Sequence, residues 1–292
     1  MHGMRPASSP AFPLLVLAVA LAGVSFGSIF VRLAAAPALA IALWRMTLAS
    51  AVVLPLAAAS GTLRRGFVMR DLALAAAAGG LLALHFATWI TSLQFTSVAS
   101  SVLLVNTAPV FVAVLMWATG QRPTAATWAA VGIAAAGAAV IAAGSLQDRG
   151  SLVGNLLALG GAIAMAGYLL LAREAQRGLP YLPYVGIAYG TAALTLWSAV
   201  LVSGTPWSGF TTGTWAAIGA LAVVSQLVGH GGYNWSLRHL QPVFVSVALT
   251  GEPVIAALLA WRLLGERPTA ATAAGGLLVL AGIFLAARAT RR

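Results

Sequence analysis

Long apolar runs, broken at near-regular intervals by Arg, Pro, Gly and small polar clusters, make up almost the whole chain. The breaks separate segments at residues 13–31, 37–58, 72–94, 98–118, 125–144, 152–172, 182–203, 213–236, 242–262 and 269–287. Each is close to the roughly 20 apolar residues that a helix needs to cross a bilayer core about 30 Å thick. Strands of a membrane barrel would instead show alternating segments of about 10 residues, and these runs do not alternate. The pattern predicts an all-α polytopic membrane protein of ten transmembrane helices, with no room for a sizeable soluble domain.

The segments repeat. Arg122-Pro123-Thr124-Ala125-Ala126-Thr127 recurs as Arg267-Pro268-Thr269-Ala270-Ala271-Thr272, Pro109-Val110 answers Pro253-Val254, and Ser92-Leu93 answers Ser236-Leu237. Two copies follow, over residues 12–147 and 148–288, each with five helices. An odd number of spans per copy sends the second through the membrane upside down, giving inverted five-helix repeats around a pseudo-two-fold axis, an architecture of transporters.

Composition sharpens this in three ways. The chain is 61% hydrophobic and 7% charged, so lipid is its solvent and the bilayer its main partner. Its formal charge of +11 is carried by arginines that fall singly or in pairs between apolar runs. They form no basic face, which excludes nucleic acid as a partner. There is no Cys, hence no disulfide and no thiolate metal site. No H-E-x-x-H, Walker A or dinucleotide glycine motif is present, and Asp71, Asp148, Glu174, Glu252 and Glu266 are scattered. The reading is no enzyme, no cofactor, no metal and no ATP-driven pumping by this chain.

Arg64, Arg65, Arg70, Arg122, Arg173 and Arg177 all fall on the side of the N-terminus, against Arg32, Arg149, Arg262 and Arg267 opposite. The positive-inside rule then places both termini in the cytoplasm, with the chain in a bacterial inner membrane. Arg5 before the apolar stretch from Phe12 to Ala22, with Ala34-Ala35-Ala36 behind, has the outline of a secretory signal; the spans that follow favour a retained first helix.

These motifs carry a family resemblance. The paired Pro-Val elements, the run Gly265-Glu266-Arg267-Pro268-Thr269 and Leu43-Trp44-Arg45 make the whole chain resemble the drug/metabolite transporter superfamily, in its ten-helix EamA-type branch. Within that branch it is similar to the YddG-type exporters of aromatic and other amino acids. The resemblance implies a secondary transporter that exports neutral amino acids and related small metabolites by alternating access, working as a monomer. Gln121 departs from the family, where the second copy has Glu266. The first span also lacks the acid by which small multidrug members of the superfamily couple cation export to protons, which disfavours that mode.

A charge at the bilayer centre costs roughly 2.5–3.5 kcal/mol on insertion scales, so polar groups at that depth face partners or a wet cavity. In the third segment His85, Trp89 and Ser92 share a helical face at i, i+4, i+7, and in the eighth Gln226, His230 and Tyr233 repeat the spacing. Two matched stripes in equivalent helices are what a central cavity requires, although helix packing explains each residue singly. Tyr168, with Ser25 and Ser28, lies in the leading helices that border the cavity in the family. Asn106 precedes Pro109 by three residues, either repairing the backbone that proline frees or touching substrate; Thr250 precedes Pro253 likewise. The two prolines are candidate hinges. Glu252 and Arg45 are the deep acid and the deep base, expected to form a structural pair or network, with proton coupling or an ammonium contact as the alternatives. Gly23-xxx-Gly27 and Gly186-xxx-Gly190 read as packing seams, and Trp44, Trp117, Trp207 and Trp215 as interfacial aromatics. Trp89, Tyr168 and Tyr233 offer stacking surfaces and make aromatic amino acids the leading substrates. Drugs, nucleoside-like or sugar-like metabolites are the alternative, and a membrane-embedded transferase the remote one.

Overall fold

The structure, a computed structural model, describes residues 11–61, 66–120, 123–143, 149–236, 239 and 251–289. All elements among them are helical: α1 (Phe12–Leu33), α2 (Ala38–Ala59), α3 (Met69–Ser92), α4 (Val98–Ala118), α5 (Ala125–Ala143), α6 (Arg149–Ala175), α7 (Tyr181–Ser203), α8 (Thr212–Ser236), α9 (Glu252–Leu264) and α10 (Ala270–Ala289). Seven are long and apolar enough to span a bilayer; α5 and α10 contain shorter apolar helices, Ala125–Ile141 and Ala270–Leu285. The first part of the ninth predicted span, with Thr250, lies outside the described residues, as does Gln121.

The repeated six-residue motif is a helix start. Thr124 accepts a hydrogen bond from the Thr127 backbone N–H at 3.2 Å, and Thr269 from that of Thr272 at 3.1 Å. In each case the threonine satisfies one of the donors that the first helical turn leaves open. The run from Gly265 to Thr269 is equally local in origin. Gly265, at φ +72°, ends α9 in a left-handed conformation. Glu266 then reaches across to α4, where its Oε2 accepts from the Val98 N–H at 2.8 Å.

Exchanging each helix with the one five places on maps several of the main helix contacts onto one another. α3 packs on α6 as α8 packs on α1, α3 on α7 as α8 on α2, and α4 on α6 as α9 on α1. The pairs α2–α7, α4–α9 and α5–α10 join a helix to its own counterpart. Glu266, just past the end of α9, binds the first turn of α4, so these counterparts run in opposite directions. Two inverted repeats are what this describes.

Small residues set the closest approaches. A β carbon on Gly137 of α5 would lie 2.6 Å from the Gly275 carbonyl of α10, and one on Gly275 2.6 Å from that of Gly137. The symmetric crossing puts Gly282 against the Ala130 carbonyl at 2.8 Å. Without a water-driven force between helices, such backbone contact is what holds membrane helices together. Gly23 abuts Val224 and Gly229 of α8, while Gly186 and Gly190 receive Leu54 of α2, as packing seams. Trp44 donates from Nε1 to the Trp207 carbonyl at 2.7 Å and packs edge-on against Trp197 and Trp215, closing the bundle end at which α2 begins.

Three helices depart from regular geometry. α1 is interrupted at Phe26 and α4 at Asn106-Thr107, just before Pro109. In α8 the stretch Leu221–His230 is a π-helix. That wider turn changes the angular spacing of Gln226, His230 and Tyr233. Gln226 and His230 lie in the π segment and Tyr233 in the α-helical turn after it.

Candidate functional site

Arg45 is the largest fully buried side chain, 1% exposed. It sits two turns into α2, where small neighbours, Ala42 and Ala49, leave space for the guanidinium on the inner face. Its Nε donates to Gln226 Oε1 at 2.8 Å. Its Cζ lies 3.9 Å from the centroid of Phe86 and 5.7 Å from that of Trp89, both on α3. A desolvated cation over an aromatic face gains about 2 kcal/mol, which offsets part of the cost of burial.

Aromatic rings complete the surround. Phe86 meets His230 edge-on at 5.6 Å and His85 at 4.8 Å, and the His85 and Trp89 planes are nearly parallel, 7° apart with centroids at 6.2 Å. His85 Nδ1 is hydrogen-bonded to the Gly161 carbonyl of α6 at 2.9 Å, which fixes the ring. At the symmetry-related crossing Ser225 performs this service, donating to the Gly23 carbonyl at 2.9 Å. The π-helical turn of α8 holds Ser225, Gln226 and His230 against α1, α2 and α3 respectively. Such irregular turns are frequent at functional sites.

The expected residues thus divide. Arg45, His85, Trp89, Gln226 and His230 converge. Ser92 does not join them: its hydroxyl bonds the Trp89 carbonyl and Ser101 Oγ, both at 2.6 Å, and ties α3 to α4. The Asn106 amide donates to the Val102 carbonyl at 3.0 Å, the local repair that a following proline calls for. Pro109 and Pro253 each open the helical stretch after a break or at the start of the described part of α9. Tyr168 lies in a buried group with Tyr184 and Asn234, which Tyr189 joins to Gln226 of the cluster, and Tyr233 is close enough to act on Tyr184 electrostatically. Ser25 turns back to its own helix, donating to the Leu21 carbonyl at 2.7 Å.

The direct Arg45–Glu252 pair is not formed among the described residues. Arg45 takes Gln226 instead, and Glu252, only half-buried at the start of α9, lies beside the Asn106 side chain within range of Arg45's charge. The break in α4 and the π-turn of α8 set these positions, and neither is encoded in residue spacing.

Two participants carry no polar signal of their own. Phe86 is an ordinary apolar residue between others. Tyr189 of α7 interacts with Arg45 and Gln226; the sequence signal from which it could have been found is the set of three tyrosines in α7, Tyr181, Tyr184 and Tyr189.

The comparisons with known proteins agree with this architecture. The EamA-like transporter family matches twice, over residues 11–143 and 152–288. An uncharacterized transporter, YwfM of Bacillus subtilis (strain 168), is 25% identical over 209 residues, covering 70% of this chain and 69% of its own. An uncharacterized transporter of Archaeoglobus fulgidus is 26% identical over 208 residues, covering 70% and 73%. A solved crystal structure superposes with a TM-score of 0.63 at 22% identity, over 97% of this chain and 100% of that one, a likeness of fold.

Proposed function

The chain belongs to the EamA-like transporter family, and from that premise we propose that it exports amino acids, aromatic ones foremost, and related small metabolites across the bacterial inner membrane. It works as a monomer by alternating access, with both termini in the cytoplasm. The observation that carries this reading is the aromatic cluster of His85, Phe86, Trp89 and His230 around Arg45, at the meeting of α2, α3 and α8. Rings stack a planar side chain, and the buried polar groups between them orient it. Helices of both repeats contribute, so rocking one repeat against the other opens the cluster to one side and then the other, with the break before Pro109 and the helix start at Pro253 as swivels.

Uptake of labelled tryptophan, threonine and methionine into liposomes containing the purified protein tests this. Saturable uptake that falls about tenfold in His85→Ala is the expected result. A well-folded protein that carries none of the three overturns the amino-acid reading; labelled nucleosides and sugars in the same liposomes then identify the other substrate class.

A further inference from the structure

A buried guanidinium persists best beside an acid that neutralises it. Glu266 is engaged by Arg32, and Glu174 and Asp71 by Arg70 at the opposite end of the bundle. Asp148 lies outside the described residues. Glu252, the remaining acid, makes no ion pair with Arg45. The charge at the centre of the cluster therefore has no acid in direct contact with it among the described residues, and Glu252 acts on it only from a distance.

Three of the groups left over around it are donors. Arg45 Nη1, Gln226 Nε2 and Trp89 Nε1 are buried with no hydrogen-bond partner among the described residues. The residues that carry them are 1%, 0% and 6% exposed. A guanidinium, an amide nitrogen and an indole nitrogen donate and cannot accept. The Tyr189 hydroxyl, which can donate or accept, lies beside Gln226 and Asn234. Buried orphan donors are rare in folded proteins, and these gather around one cation. The bond from Arg45 Nε takes up the Gln226 oxygen, which leaves the amide nitrogen as that residue's free group. Apart from the Tyr189 hydroxyl, which can also accept, these groups are donors, and no acid among the described residues touches them.

We propose that Arg45, Gln226 and Trp89 form an anion subsite that takes the carboxylate of the transported molecule, with Arg45 supplying the charge and the Gln226 amide and Trp89 indole as orienting donors. The inference rests on the transport reading and names the part of the substrate that the cluster recognises. One guanidinium with neutral donors balances a single negative charge, which favours a carboxylate over a phosphate dianion. The donors come from α2 and α3 of the first repeat and α8 of the second, so a carboxylate held here is gripped by both halves.

Calorimetric titration of the full-length protein in lipid nanodiscs tests the subsite, with tryptophan, tryptophan amide, indole-3-propionate and phenyl phosphate as probes. Tryptophan and indole-3-propionate are expected to bind at least about tenfold tighter than the amide. Arg45→Gln is expected to erase that preference, Arg45→Lys to retain part of it, and Trp89→Phe, which keeps a ring and removes only the indole N–H, to weaken it severalfold. If Arg45→Gln does not fold, the four probes on the native chain and on Trp89→Phe decide alone. Equal binding of tryptophan and its amide overturns the anion subsite while leaving amino-acid transport standing. Binding of indole-3-propionate without tryptophan sustains the subsite and overturns the amino-acid reading. Tighter binding of phenyl phosphate than of either carboxylate overturns the carboxylate assignment, and no binding of any probe to the folded protein overturns the subsite.

Discussion

Two arginines a single turn-and-loop apart in sequence meet opposite fates. Arg32, at the end of α1, is about a quarter exposed and holds Glu266 at 3.0 Å while donating to the Thr96 carbonyl at 2.8 Å. Arg45, thirteen positions on in the sequence numbering and fully buried in α2, holds an amide and two aromatic faces. At the rim the arginine touches an acid; in the interior no acid among the described residues touches the guanidinium, and Glu252 acts on it only from a distance. Stability alone would select the reverse arrangement, since unpaired charge costs more the deeper it lies. The difference teaches that the rim pair is structural, joining α1, α4 and α9, while the interior charge is the one the proposed anion subsite would use.

That contrast can be broken experimentally, and the largest effect belongs to the interior. Arg45→Gln is expected to lower tryptophan exchange at least a hundredfold, with folded protein still eluting as a single species in size-exclusion chromatography. Charge reversal separates the two regions further. Arg32→Glu combined with Glu266→Arg regains part of the unfolding temperature that either single change lowers, because the two side chains touch, while the bonds to the Thr96 carbonyl and from the Val98 N–H stay lost. Arg45→Glu combined with Glu252→Arg restores no transport, because those two do not. Next in size, Glu252→Gln is expected to remove any effect of a proton gradient on uptake while leaving exchange without a gradient within about threefold of the native rate. If the gradient dependence survives, Glu252 has no coupling role. The smallest effect is at the rim: Glu266→Gln should destabilise by about 0.2–1 kcal/mol, read as a shift in thermal unfolding that shrinks as salt is raised. Independently of charge, Gly275→Leu drives a branched side chain into the Gly137 carbonyl and Ile141 and should sharply reduce the yield of folded protein.

What was legible in the sequence follows from which forces are local. The ten spans are read from hydrophobicity because lipid demands about the same apolar length of every helix. The inverted repeat is read from the Thr124 and Thr269 helix starts because a cap is a contact between residues three apart. His85, Trp89, Gln226 and Arg45 stand out because polar groups are rare at that depth. The rest depends on where helices cross. No spacing rule announces the π-turn over Leu221–His230, which turns Gln226 onto Arg45 and His230 onto Phe86. Ser92 and Asn106 carry the same kind of signal as Gln226, yet their hydroxyl and amide bond within or between neighbouring helices. Phe86 carries no signal, because a ring that supports a cation looks in sequence like any other core residue.

Exchange of labelled tryptophan across liposomes bearing the native chain, Arg45→Gln or Arg32→Gln, at equal amounts of folded protein, tests most directly whether the buried cluster is the transport site. The account predicts that Arg45→Gln abolishes exchange and that Arg32→Gln stays within about threefold of the native rate. Equal exchange by all three, or loss confined to Arg32→Gln, would contradict it.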